Sequence, residues 1–267
     1  MAFETGVPAE GGENVSVRPC LLSAVALLTL AVGACGDQAP AATPGTSSAP
    51  PPIAGHGPDA RDDLAALATL ALDKPYAALY RLDDGAGSRD VVATTAADGT
   101  WRVDVSRGLQ GGTTAVSIVS LPTGVYQCTV ATAANPITPA CTRVAEKGKR
   151  VPPKYSPKVE RLFRPALTVF TDQESGLTVT EVQPMEGATG TCYSVDSISA
   201  SLDPPVAVGV YCYAADGVLT AARVGLGLLK LVSQVVGPPT VPLPGPDTGA
   251  VPMSTATPAP PAIQPSA

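Results

Sequence analysis

Val91-Val-Ala-Thr-Thr-Ala-Ala-Asp-Gly-Thr-Trp-Arg-Val-Asp-Val105 is the stretch whose reading decides the fold. Its second half alternates without a break. Trp101, Val103 and Val105 fall on one face of a strand, and Arg102 and Asp104 on the other. Between the halves, Asp98-Gly99 is a turn signal, because glycine supplies the positive φ that a tight hairpin needs. Two strands joined so closely must run antiparallel, each with one face buried.

The same pattern spreads outward in both directions. Upstream, residues 76–82 form a strand that ends at the turn signal Asp83-Asp84-Gly85. Downstream, residues 114–121 turn through Pro122-Thr123-Gly124 into a strand at 125–130, and a short strand surrounds Cys141. Further strands are predicted at 177–182, 190–195, 208–213, 217–224 and 226–235, with Asp216-Gly217 as another hairpin turn. Val208, Val210 and Cys212 share one face of their strand, which puts Tyr211 and Tyr213 on the other. The run 226–235 is apolar on both faces apart from Lys230 and small residues, so it reads as a strand covered twice.

Two helices interrupt the strands. Residues 59–73 place Leu64, Leu67 and Ala71 on one face with Leu70 beside them; Asp59 is the expected cap and Pro75 the stop. In residues 157–170, Val159, Leu162, Phe163, Ala166 and Phe170 recur at helical spacings. Pro165 inside that run demands a kink or a fresh start. The fold class is therefore α+β, an antiparallel sheet packed against two helices.

The ends of the chain read differently. Arg18 precedes an apolar run from Leu21 to Val32, and Gly33 and Ala34 lead into Cys35. This is the layout of a secretory signal, too short to span a bilayer, which needs ~20 apolar residues. Val32-Gly33-Ala34-Cys35 resembles the lipobox of bacterial lipoproteins, which implies cleavage before Cys35 and acylation of that cysteine. The acidic Glu4, Glu10 and Glu13 ahead of it point to a start of translation near residues 15–17. Four segments are expected: a signal peptide at 1–34, the lipidated cysteine and a Pro/Ala/Thr tether at 35–58, a globular domain at 59–237, and a Pro-rich disordered tail at 238–267. The chain is thus expected on the outer face of a cytoplasmic membrane, held by its lipid.

Six cysteines sort by position. Cys20 belongs to the signal and Cys35 to the anchor, leaving Cys128, Cys141, Cys192 and Cys212. An even count beyond an export signal implies two disulfides. Three pairings are open, and the local one (Cys128 with Cys141, Cys192 with Cys212) is preferred because it ties neighbouring strands. A metal site is not expected, since no C-x-x-C occurs and the single histidine, His56, lies in the tether. The same lone histidine leaves a Ser-His-Asp or Cys-His site without a base, and no G-x-S-x-G, P-loop or dinucleotide fingerprint is present. No cofactor and no catalysis are expected. The net charge of −6 argues against general nucleic-acid binding.

Positive charge concentrates at Lys147, Lys149, Arg150 and Lys154 and continues to Lys158, Arg161 and Arg164. It reads either as a basic rim for anionic headgroups or wall polymers, or as a solvated loop and helix face. Trp101, Val103, Leu162, Phe163 and Phe170 would line a ligand cavity between sheet and helices, or equally pack a filled core.

Signal, lipobox and tether, followed by helix, strands, helix and strands, is similar to the LolA-like lipoprotein-carrier fold. The LppX/LprG-like envelope lipoproteins of actinobacteria are nearest in style. Pro75-Tyr-Ala-Ala-Leu-Tyr-Arg-Leu82 and Gly209-Val-Tyr-Cys-Tyr-Ala-Ala-Asp-Gly-Val-Leu219 carry the resemblance. It implies a strongly curved half-barrel sheet wrapped around helices, and a lipid or other hydrophobic molecule held between them. The alternative is a structural or interaction lipoprotein with a filled core, presenting its domain and tail to a protein or cell-wall partner.

Overall fold

The computed structural model describes residues 58–133, 135–198 and 204–257. The signal, Cys35 and the tether as far as residue 57 lie outside the described residues. A helix, α1 (Pro58–Asp73), precedes six strands: β1 (Tyr76–Asp83), β2 (Ser88–Thr95), β3 (Trp101–Leu109), β4 (Thr114–Leu121), β5 (Gly124–Thr129) and β6 (Cys141–Ala145). A second short helix, α2 (Arg164–Phe170), leads to β7 (Leu177–Val182), β8 (Thr191–Ser197), β9 (Gly209–Tyr213), β10 (Leu219–Val224) and β11 (Gly227–Val236). All eleven strands join one open antiparallel sheet in the order β6-β5-β4-β3-β2-β1-β11-β10-β9-β8-β7. Each half is a simple meander. The halves meet where the first strand pairs with the last, Tyr76 opposite Val236.

The predicted hairpin is present. Thr95 pairs with Trp101, Val103 and Val105 are buried, and Gly99 takes φ +80°. Thr100 donates its backbone N–H (2.9 Å) and its hydroxyl (2.6 Å) to Asp98 Oδ1, which holds that carboxyl below its usual range. On the outer face, Arg102 and Asp104 form an ion pair at 2.7 Å.

One continuous apolar core lies between the helices and the inner face of the sheet. α1 buries Ala60, Leu64, Ala68 and Ala71, a stripe at spacings of three and four. Leu67 is only half-buried, Leu70 is exposed, and the helix begins at Pro58, so Asp59 sits inside its first turn rather than at its cap. Pro165 breaks the second helical run. Val159–Leu162 form a 3-10 turn, and α2 restarts with Pro165 in its first turn, where no N–H is required. Arginines lash the helices together. Arg164 Nη1 donates to the Leu72 carbonyl at 2.9 Å, and Arg61 reaches the Asp172, Ser175 and Leu177 carbonyls at 2.7, 3.1 and 3.0 Å. Gly217, at φ +82°, turns the β9–β10 hairpin directly beneath α1, where a Cβ would overlap the Leu67 carbonyl.

Two smaller apolar clusters cover the outer face, one toward each end of the sheet. Each contains a disulfide. Cys128 pairs with Cys141 across β5–β6, and Cys192 with Cys212 across β8–β9, each cysteine directly opposite its partner. Such bonds belong to an oxidising environment. Among the described residues no helix is long and apolar enough to cross a membrane.

The expectation of a disordered tail fails for residues 238–257. Gly237 N–H donates to the Pro75 carbonyl (3.2 Å), and the Pro238 and Pro239 carbonyls accept from Ala97 and Asp98 (3.1 Å each). Val241 is buried against Ala96, Val119 and Tyr126 on the outer face. The chain then runs alongside the edge strand β6. Cys141 N–H donates to Pro246 (2.8 Å) and Thr248 N–H to Cys141 (2.9 Å). Proline dominates the composition here, but a proline segment is already extended, so docking it costs little conformational entropy, and its carbonyls remain strong acceptors. Residues 258–267 lie outside the described residues. A second correction concerns β11, which is not covered twice. Its far end leaves Val232, Val235 and Val236 56%, 65% and 85% exposed.

Candidate functional site

The inner face brings most of the candidate cavity residues together. Val103, Leu162, Phe163 and Phe170 are buried in the one core, and Trp101 packs half-buried at its margin. They are joined by five inner-face tyrosines, Tyr76, Tyr80, Tyr193, Tyr211 and Tyr213. Phe163 meets Tyr80 at 5.1 Å between ring centroids, and Phe170 stands edge-on to Tyr211 at 5.5 Å and to Tyr213 at 6.3 Å. Burial pushes the Tyr76 hydroxyl up to about 12 and raises Tyr80, Tyr211 and Tyr213 as well. The hydroxyls of Tyr80 and Tyr213 have no hydrogen-bond partner among the described residues, whereas Tyr211 donates to the Ala207 carbonyl at 2.7 Å. The alternation of β9, which puts Tyr211 and Tyr213 on one face, carried the signal for these two. Small residues, Ala78, Ala93 and Ala222, are buried in the same core, Ala222 directly across from Tyr211.

The two halves of the inner face are covered differently. α1 and α2 lie over the half that contains the tyrosines. Over β5 the cover is irregular: a 3-10 turn at Pro153–Tyr155 and the C-terminal segment around Met253. Gln127, buried on the inner face of β5, holds both. Its Nε2 donates to the Tyr155 carbonyl at 2.8 Å and the Met253 carbonyl at 2.9 Å, and its Oε1 accepts from Met253 N–H at 2.7 Å. No sequence pattern singled out Gln127, since a glutamine inside an alternating strand resembles any outward polar residue.

The basic residues differ in what they contact. Lys147 and Lys149 are exposed on the turn after β6, and Lys154 places its ammonium 4.5 Å from the Tyr155 ring centroid. Arg150 donates to the Pro204 carbonyl at 3.1 Å, and Arg164 is spent on α1. Arg161 Nε lies 3.9 Å from Glu160, itself fully buried. Ser156 donates its hydroxyl to Glu160, Oε2 of that carboxyl has no hydrogen-bond partner among the described residues, and burial raises its pKa.

Elsewhere an open polar pocket of about 240 Å³ is lined by Asp84, Ala86, Gly87, Arg89, Arg107, Gly111 and Gly112. Its arginines are engaged locally, Arg89 with Asp84 at 3.3 Å and Arg107 with the Ser88 carbonyl. Among the described residues no three metal-ligating side chains come together. No family model matches the chain, and no curated protein is similar to it.

Proposed function

We propose that the chain is an exported lipoprotein, anchored through acylated Cys35, whose domain binds or carries a lipid or other hydrophobic molecule without catalysis. The sheet would curve as a half-barrel, with the cargo between sheet and helices and with Lys147, Lys149, Arg150 and Lys154 near its headgroup. The observation that supports this most is the mismatch between sheet and cover. Eleven strands span roughly 48 Å at ~4.8 Å per strand. α1 and α2 are only about 24 and 10 Å long at ~1.5 Å per residue. The remaining apolar face is closed by irregular segments, which separate from a sheet at lower cost than a packed helix.

A second reading, an interaction lipoprotein with a filled core, has its own support. The ring contacts of Tyr80, Phe163, Phe170, Tyr211 and Tyr213 occupy the space between helices and sheet. Native mass spectrometry of the chain purified from an exporting host without detergent separates the two. Added mass that leaves on denaturation and fragments as a lipid is the result expected of a carrier. A bare mass, with no uptake from phospholipid vesicles, would overturn carriage in favour of the second reading.

A further inference from the structure

We propose that the groove occupied by Met253–Thr255 is a peptide-binding site, and that the C-terminal segment is its resident occupant, competing with an extended peptide of a partner protein. Every polar contact in the groove is made to main chain. Gln127 takes both the N–H and the carbonyl of Met253. Gln110 and Gly111 donate their N–H groups to the Ser254 and Thr255 carbonyls at 3.1 and 3.2 Å, and Thr255 N–H donates to the Lys154 carbonyl at 2.9 Å. The groove therefore reads main chain rather than side chains, the source of affinity that a sheet edge also uses when it accepts a peptide. Side-chain selection is confined to one position, where Met253 packs half-buried against the core.

The groove also defines what it rejects. Gln127 is 3% exposed, and its amide presents one donor and one acceptor to the same residue. An occupant without both an N–H and a carbonyl there would leave a buried polar group unpaired, which discriminates strongly. The partner is thus a peptide with a free N–H at the position of Met253 and an unbranched apolar side chain there. A simple acyl chain does not satisfy the groove, so the inference stands apart from carriage of a hydrophobic molecule. The resident segment is tied at Thr248 only five residues before Met253. That short tether gives it a high effective concentration, so a partner must be concentrated locally to displace it.

The test uses the full chain and a labelled peptide of sequence Val-Pro-Met-Ser-Thr-Ala-Thr, residues 251–257. Met253→Pro removes the N–H that Gln127 accepts and lifts the resident segment in place. The Met253→Pro chain is expected to bind the peptide saturably and at least tenfold more tightly than the native chain, and adding Gln127→Ala should abolish binding. A folded Met253→Pro chain that does not bind, or a double variant that binds equally well, would overturn the proposal. Should Met253→Pro not fold, Thr255→Pro releases the segment from Lys154 instead, and the same outcomes apply.

Discussion

Glu160 is a carboxyl held where a carboxylate is unwelcome. Burial raises its pKa above the ordinary 4.5 although the Ser156 hydroxyl, Arg161 and Arg150 all favour the charged form. A carboxyl that binds its proton more tightly folded than unfolded contributes most below its unfolded value. That contribution is lost as pH rises through the raised folded value. Glu160→Gln keeps an acceptor for Ser156 and carries no charge. Its stability should therefore overtake that of the native chain progressively as pH rises through this window, then hold a constant margin. Urea unfolding at several pH values between 4 and 8 measures the difference, and a pH-independent difference would contradict the assignment.

At the scale of elements, each disulfide joins strands near one end of an open sheet, where pairing is least supported. The bonds close loops with sequence separations of 13 and 20 residues. In the loop-entropy account each contributes about 3 kcal/mol. Replacing Cys128 and Cys141 by serine, or Cys192 and Cys212, should lower the unfolding free energy by about that amount in each case. A loss below about 1 kcal/mol for either pair would show that β6 or β8 is held by other means. The C-terminal segment is the candidate for β6, since it bonds to both backbone groups of Cys141.

The whole molecule is two meanders closed by their own tail. Residues 237–257 start at the junction of β1 and β11, cross the outer face, follow edge strand β6 and end against inner-face Gln127. The tail therefore does what an edge strand requires, covering free N–H and carbonyl groups that would otherwise template association. Val241 is its anchor on the outer face, and burying such a side chain contributes ~1.5–3 kcal/mol. Val241→Asp should release the segment while leaving the inner core folded. Limited proteolysis followed by mass spectrometry should then find new cleavages between residues 238 and 257, and an unchanged pattern would refute the anchoring role.

The sequence by itself determined what depends on local chemistry. Strand alternation, Asp-Gly turns and apolar helix spacing are set within a few residues of one another. The eleven strands, both helices, the restart at Pro165 and the favoured cysteine pairing were therefore legible before any coordinates. Proline and small polar residues, read the same way, predicted a disordered tail. Tertiary structure alone decided that this tail docks, because its partners, Ala97, Cys141 and Gln127, lie more than a hundred residues away along the chain and in three different strands or turns. It alone decided that Gln127 points inward, that the basic stretch divides between surface and structural arginines, and that the tyrosines of β1 and β9 converge on Phe163 and Phe170. Contacts of that kind form between residues remote in sequence. They are specified by which faces meet when the sheet and helices pack, and no local pattern records it.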